Sequence, residues 1–227
     1  MSGPDIARLP GRRTGGGSLL VPLALRNLRL LASYNWLAAL LMLAVMAAVS
    51  NAAFMGPGEA GLYGERYASL AGLLLLPPLA MLDAGGIGET LLAKRRSHAV
   101  IFLLRWLLTA GYAGLLLAVF FELLRLMGAD FALPLAAGVW ITTVALGSFG
   151  LLLAVLFRHL AGGFIAAFAW YLIDWMSKGK YTGPFYLFSM QKGAWNDDKL
   201  WLLGLALCCA AVTAWLLPRS LGTEDYR

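Results

Sequence analysis

The sequence predicts an all-α membrane protein, a bundle of six transmembrane helices, and two observations lead to this prediction. Sixty per cent of the 227 residues are hydrophobic and 13% are charged, a composition too apolar for a water-soluble domain of this size. The apolar runs are also about twice as long as the roughly ten-residue strands of a transmembrane β-barrel. Helices are therefore the expected spanning elements.

Six apolar runs are candidate spans. The second contains Pro77 and Pro78, which remove two amide donors and should bend or break its helix. The second and the fifth are shorter than the others. The six predicted spans are residues 35–54, 68–82, 101–124, 131–157, 163–176 and 201–217.

Two further kinds of segment flank the spans. The polar, basic and glycine-rich residues 1–18 are predicted to form a disordered cytoplasmic tail. Residues 19–34 have the pattern of an amphipathic interfacial helix, in which Arg26 and Arg29 share a face that anchors it to lipid headgroups. The predicted organisation is completed by a six-helix transmembrane domain at 35–217 and a cytoplasmic carboxyl-terminal tail at 218–227.

The basic residues predict which ends of the spans face the cytoplasm. With a cytoplasmic amino terminus, twelve Lys and Arg residues fall on the inner side and six on the outer side. The positive-inside rule favours this orientation, and an even number of spans returns the carboxyl terminus to the cytoplasm. Because the net charge of +6 is concentrated in particular loops, it indicates topology and not nucleic-acid binding. The expected location is a bacterial cytoplasmic (inner) membrane.

Two connecting segments have patterns of their own. The segment DAGGIGETLLAKRRSHA, between the second and third spans, is predicted to contain a short cytoplasmic helix parallel to the membrane. The segment KGKYTGPFYLFSMQKGAWNDDK, before the last span, is too apolar for a solvated loop. We expect it to enter the outer leaflet as a broken extracellular hairpin that turns at Gly183 and Pro184.

The sequence offers few groups for catalysis. We expect no catalytic, cofactor-binding or metal site in the chain, since His98 and His159 lie in basic loops and the adjacent Cys208 and Cys209 fit packing positions. No P-loop pattern is present, so the chain is not expected to hydrolyse ATP. The ionisable candidates inside predicted spans are Glu122 and Asp174, both near outer ends where a carboxylate reaches water.

The layout resembles the permease subunits of type 2 ATP-binding-cassette exporters. It has a basic amphipathic helix entering the first span, a short cytoplasmic helix after the second, and a broken hairpin before the sixth. The most specific stretch is YASLAGLLLLPPLAMLDAGGIGETLLAKRRSHAVIFLLRWLL. Members of the family often have an acidic residue followed by Gly-Thr and a proline there, whereas this chain has Gly88, Glu89 and Thr90 without a proline.

The resemblance implies a separate ATPase subunit that binds ATP and Mg, while this chain itself binds no cofactor. It also implies a second permease subunit, identical or related, with the cargo path between the two, and contact with membrane lipids. Spans one, two and five would face that path, which makes Asn35, Asn51, Tyr171 and Asp174 possible lining groups. The ATPase-coupling contact would comprise Glu89, Thr90, Leu91, Leu92, Lys94, Arg95, Arg96, Arg158 and His159.

Three functions stay open at the level of the sequence. The first is the membrane subunit of an ATP-driven exporter that moves an amphipathic cargo, such as a lipid, a peptide or a hydrophobic natural product, by alternating access. The second is an intramembrane lipid-modifying enzyme, for which Glu122, Asp174 or a histidine would be indispensable. The third is a membrane scaffold that binds a cytoplasmic partner without transport.

Overall fold

The computed structural model describes residues 34–82, 98–190 and 194–221, and none of these residues lies in a β-strand. Three 3₁₀ turns, Ala52–Phe54, Ala68–Leu70 and Gly183–Phe185, separate helices within this part of the chain. The α-helices, numbered here in chain order, are α1 Tyr34–Val49, α2 Pro57–Arg66, α3 Ala71–Leu75, α4 Leu79–Leu82, α5 His98–Leu126, α6 Leu133–Phe157, α7 Leu160–Ser177 and α8 Asp198–Leu221.

Four of these helices, α5, α6, α7 and α8, are long and apolar enough to cross a membrane. They coincide with predicted spans three to six. The helix α1 has the same apolar character over only 16 residues. These helices identify an integral membrane protein, and they support four of the six predicted spans.

The second predicted span is not one continuous helix. It consists of the 3₁₀ turn Ala68–Leu70, then α3, and then α4, with Pro77 and Pro78 in the interruption between α3 and α4. The prolines therefore break the helix as their missing amide protons predict. Before this span, α2 occupies a stretch for which no helix was expected.

The helix α6 is the centre of the bundle. It packs against α2, α3, α4, α5, α7 and α8, and 72% of its most apolar stretch is buried, against 22% for α7. The helix α7 packs mainly on α6 and stands at the edge of the bundle. Because α6 touches almost every other helix, it fixes their relative positions.

Small residues allow α6 to approach its neighbours closely. A Cβ atom placed on Gly147 would lie 2.5 Å from the carbonyl oxygen of Gly72 and 2.6 Å from a methyl group of Leu76. Both distances are far below ordinary van der Waals contact, and the first involves backbone that cannot rotate away. Glycine at this position lets α3 and α6 pack backbone to backbone, as small residues commonly do in membrane helices.

Gly147→Ala should therefore lower the free energy of unfolding by about 1–3 kcal/mol, because the added methyl group forces α3 away from α6. Unfolding in mixed micelles with increasing sodium dodecyl sulfate measures the change. Gly111→Ala on α5 is the matched control, since a Cβ atom there meets nothing within 4 Å. Equal stability of the two variants would contradict the close α3–α6 contact.

Candidate functional site

A buried ion pair joins α2 to α8. The Lys199 ammonium lies 2.5 Å from Oε1 of Glu65, and both side chains are completely inaccessible to solvent. The desolvation of two opposite charges costs several kcal/mol per ion, so such a pair is retained only where further hydrogen bonds support it. Ionisable residues in the interior of a membrane bundle are functional candidates by default.

The Lys199 ammonium has three partners. Besides Glu65, it donates to Oγ1 of Thr142 and to the carbonyl oxygen of Leu187, each at 2.7 Å. An ammonium carries three protons, so each proton has an acceptor. Thr142 is nine residues into α6, about 14 Å along the helix axis from its first residue. Lys199 therefore reaches deep into the bundle from the first turn of α8.

The buried carboxylates of Glu65 and Asp174 accept hydrogen bonds from non-helical backbone. Glu65 accepts the amide hydrogen of Met190 on both oxygens, at 3.1 and 3.2 Å, and Oδ2 of Asp174 accepts that of Leu187 at 2.9 Å. Irregular backbone within a membrane bundle needs such protein partners because hydrocarbon offers none. We call Glu65, Thr142, Asp174, Lys199 and the backbone of Leu187 and Met190 the charged hub.

The segment before the hub turns where the sequence predicts. Gly183 has a φ of +54° and begins the 3₁₀ turn, a conformation that glycine adopts at little cost. The chain then enters the bundle, and Leu187, Phe188 and Met190 are almost fully buried. The apolar character of this segment thus corresponds to burial within the protein, and its depth in the outer leaflet remains a prediction.

A cleft of about 440 Å³ opens between the end of α1 and one face of α2, and polar side chains interrupt its mostly apolar surface. Its charged members are Glu59, which is exposed, and Arg66, which is half-buried. The full lining consists of Asn51, Phe54, Met55, Glu59, Leu62, Tyr63, Arg66 and Tyr67. We call this space the polar cleft.

A second space of about 340 Å³ lies between α1, α3 and α7, and its lining is almost wholly apolar. We call it the apolar groove. Its walls are formed by Met42 from α1, by three leucines of the second predicted span, and by three side chains of α7. The lining residues are Met42, Leu70, Leu73, Leu74, Phe164, Ile165 and Phe168.

The linings of the groove and the cleft come close to each other along the chain but share no residue. Tyr67 lines the cleft, and Leu70, three residues later, lines the groove. Phe168 in the groove stacks on Tyr171, with ring centroids 5.8 Å apart. The groove and the cleft are therefore two separate spaces.

Arg66 links the cleft to α7. Its guanidinium carbon lies 5.4 Å from the centre of the Trp175 ring, within the range of a cation–π contact. The hydroxyl of Tyr171 donates to the backbone oxygen of Arg66. Within the part of the chain that the structure describes, the buried Nε of Arg66 has no hydrogen-bond partner.

Several residues predicted as functional lie outside the described ranges. Of the coupling residues, Arg158 and His159 are described, and both are exposed in the tight turn between α6 and α7. Arg158 adopts the left-handed conformation, with a φ of 51°, and its amide caps the end of α6. The predicted residues outside the described ranges are Arg26, Arg29, Glu89, Thr90, Leu91, Leu92, Lys94, Arg95 and Arg96.

The four possible cargo-path residues are not brought together. Asn51 lines the polar cleft, whereas Asn35 lies in the first turn of α1, at the other end of that helix. Tyr171 is 2% exposed and Asp174 is inaccessible, and neither lines the cleft. The expectation that Asp174 reaches water was wrong, because its carboxylate is turned inward to the Leu187 amide.

The other carboxylate considered in the sequence, Glu122, is exposed. It lies 3.9 Å from Arg125, one turn further along α5, and their side chains are 62% and 69% accessible. A surface pair of this kind contributes little to stability. Among the described residues, no three His, Cys, Asp or Glu side chains lie close enough to hold a metal ion.

Sequence reasoning missed the pairing of Glu65 with Lys199, although one signal was present. Glu65 follows Gly61 by four residues and Gly64 by one, on a helix face of small residues that is buried against α6. Small residues at such intervals mark a helix interface in membranes. A carboxylate on that face is therefore enclosed, and it needs a cation from another helix.

Lys199→Met should destabilise the protein by about 3–5 kcal/mol, because it leaves the Glu65 carboxylate buried without its cation. Adding Glu65→Gln should recover more than about 1 kcal/mol, since a neutral amide no longer needs the cation and still accepts from Met190. Unfolding in mixed micelles gives the free energies for this double-mutant cycle.

The matched control is Arg125→Met, which removes the cation of an exposed pair and should cost about 0.5 kcal/mol or less. A Lys199→Met variant as stable as Arg125→Met would show that the buried pair does not hold the bundle together. Destabilisation of the double variant by the sum of the two single effects would show that the two charges do not interact.

Comparisons of the chain with models of protein families, with curated proteins and with solved structures give no match. The residues that the structure does bring together are those of the charged hub, the polar cleft and the apolar groove. A function for the chain is inferred from these three features and from the layout of the sequence.

Proposed function

We propose that this chain is the membrane-spanning subunit of an ATP-driven exporter that moves an amphipathic cargo. The observation that favours this function most is the apolar groove between α1, α3 and α7. An amphipathic molecule needs an apolar wall for its body and polar groups for its head. The groove supplies the apolar wall, and Tyr67, three residues before the groove residue Leu70 along the chain, lines the cleft that also contains Glu59 and Arg66.

The position of this surface fits the family that the sequence resembles. In type 2 exporters the first, second and fifth spans face the cargo path. Here the groove lies between α1, α3 and α7, which belong to the first, second and fifth predicted spans. A second permease subunit, identical or related, would close this open face and enclose the path.

The central helix offers a route for coupling to an ATPase. The exposed turn at Arg158 and His159 ends α6, and Thr142 in the charged hub lies 16 residues earlier on the same helix. This separation corresponds to about 24 Å of helix. A force applied at this turn would be transmitted to the charged hub along α6, because that helix is packed on nearly all sides. The main contact is proposed to be the segment Glu89 to Arg96.

The proposal includes a six-span topology in a bacterial inner membrane, with both termini on the cytoplasmic side. ATP and Mg would bind to the partner subunit. The enzyme hypothesis gains no support from the carboxylates it relies on, because Glu122 is exposed beside Arg125 and Asp174 is engaged by backbone. Neither carboxylate lies beside a histidine in the described residues.

The test is purification of the tagged chain from its source cells in mild detergent, followed by mass spectrometry and an ATPase assay. We expect a nucleotide-binding subunit in stoichiometric amount and ATP turnover in the purified complex. A preparation without either would contradict the exporter proposal and would favour the scaffold or enzyme hypotheses.

Glu89→Arg should abolish coupled transport and ATPase stimulation while leaving membrane insertion intact, because it reverses a charge at the proposed ATPase contact. Transport of the cargo or cargo-stimulated ATP turnover in vesicles measures the effect. Glu122→Arg makes the same change at an exposed site beyond the coupling segment and should leave transport unchanged. Normal transport by the Glu89 variant would exclude the coupling role.

A further inference from the structure

We infer that Asp174 is a proton-binding site, and that its carboxyl group holds a proton on Oδ1 in the folded protein under conditions where exposed aspartates are ionised. The site lies near the carboxyl end of α7, within the charged hub. The inference does not depend on the exporter proposal, because it concerns only the surroundings of this side chain.

The two oxygens of Asp174 have different surroundings. Oδ2 accepts the amide hydrogen of Leu187 at 2.9 Å, whereas Oδ1 is buried and has no hydrogen-bond partner. The side chain is inaccessible to solvent, so bulk water does not supply the missing donor. An ionised carboxylate only accepts hydrogen bonds and needs donors at both oxygens, whereas a carboxylic acid carries its own proton on one of them. A single donor, at Oδ2, therefore matches the neutral acid.

The ammonium of Lys199 does not compensate a charge on Asp174. Its three protons are taken by Glu65, by Thr142 and by the carbonyl oxygen of Leu187. Among the described residues Lys199 forms its ion pair with Glu65, and Asp174 forms none. The hub thus encloses two carboxyl groups and one cation. Transfer of an uncompensated carboxylate into such an interior is so unfavourable that the group binds a proton instead.

The elements around Asp174 bring no further ion pair to the site within the described ranges. The helix α6, on which α7 mainly packs, has no titratable side chain from residue 133 to residue 157. Arg66 contacts the ring of Trp175, and the two lysines that follow α7 are exposed. The charged groups on the surrounding elements are Lys199 of α8, Glu65 and Arg66 of α2, and Lys178 and Lys180 in the turn after α7.

The hydroxyl of Thr182 is the group that would accept this proton. It interacts with the Asp174 side chain, and its Oγ1 is buried without a hydrogen-bond partner. Thr182 immediately precedes the 3₁₀ turn Gly183–Phe185. A proton on Oδ1 would give both unpaired oxygens a partner at once. It would thereby connect the end of α7 to the segment that enters the bundle.

Infrared spectroscopy of the full chain in lipid nanodiscs, with isotope-labelled carboxyl carbons in its aspartates, tests the inference. At neutral pH we expect the carbonyl band of a neutral aspartic acid, shifted by the label and sensitive to deuterium exchange. Asp174→Asn should remove this band. Asp130→Asn, the same change at an exposed aspartate, is the matched control and should leave the band unchanged.

The absence of a neutral aspartic acid in the unmodified chain would overturn the inference, as would persistence of the band in Asp174→Asn. An ionised Asp174 would mean that a buried water or the Thr182 hydroxyl donates to Oδ1. A neutral carboxyl band that lacks the isotope shift, with no shifted band beside it, would place the proton on a glutamic acid such as Glu65 and would also contradict the inference.

Unfolding in mixed micelles supplies a second readout of the proton. The folded chain retains a proton that the unfolded chain has released, so the folding equilibrium constant should fall as the pH rises through neutrality, by up to about tenfold per pH unit. Asp174→Asn, which resembles the neutral acid in shape, should fold and should lose this part of the slope, and Asp130→Asn should keep it. Equal slopes in the three proteins, or an Asp174→Asn chain that does not fold, would overturn the inference.

Discussion

The ammonium of Lys199 and the carboxylate of Glu65 meet in the interior of the bundle, and the arrangement of four elements depends on this contact. Lys199 comes from α8, Glu65 from α2, Thr142 from α6, and Leu187 from the segment between α7 and α8. Loss of either charge would leave the other buried and unpaired, a far larger penalty than the pair itself contributes. The pair therefore acts mainly by favouring one arrangement of these four elements, and it is not a large net source of stability.

The same contact determines the wall of the proposed cargo surface. Glu65 precedes Arg66, so the hydrogen bonds and ion pair that hold Glu65 also constrain the backbone of Arg66, which lines the polar cleft. The aromatic side chains of Tyr171 and Trp175 hold Arg66 from α7. A movement of α6, which carries Thr142, would reach the cleft through this network. In the exporter proposal, this network would connect the ATPase contact at one end of α6 to the cargo surface.

The sequence predicted the long helices because their apolar runs exceed the thickness of the hydrocarbon core, and it predicted the break at Pro77 and Pro78 because proline lacks an amide proton. It did not predict α2, because its glycines and charged residues disfavour a helix in isolation, whereas in the structure this helix packs on α6. Nor did it predict the Glu65–Lys199 pair, since the two residues lie far apart in the chain and hydropathy assigns charges to loops. Asp174 was found as a candidate, but its inward direction depends on a tertiary contact with Leu187.

The central claim is that charged side chains replace water as the partners of the backbone at residues 187 and 190. Hydrogen exchange of the Leu187 and Met190 amides in lipid nanodiscs tests it directly. The account predicts exchange as slow as that of amides in the middle of α6, with rapid exchange of the Met190 amide in Glu65→Leu and of the Leu187 amide in Asp174→Leu. Rapid exchange of both amides in the unmodified protein, or equal protection in the two variants, would contradict it.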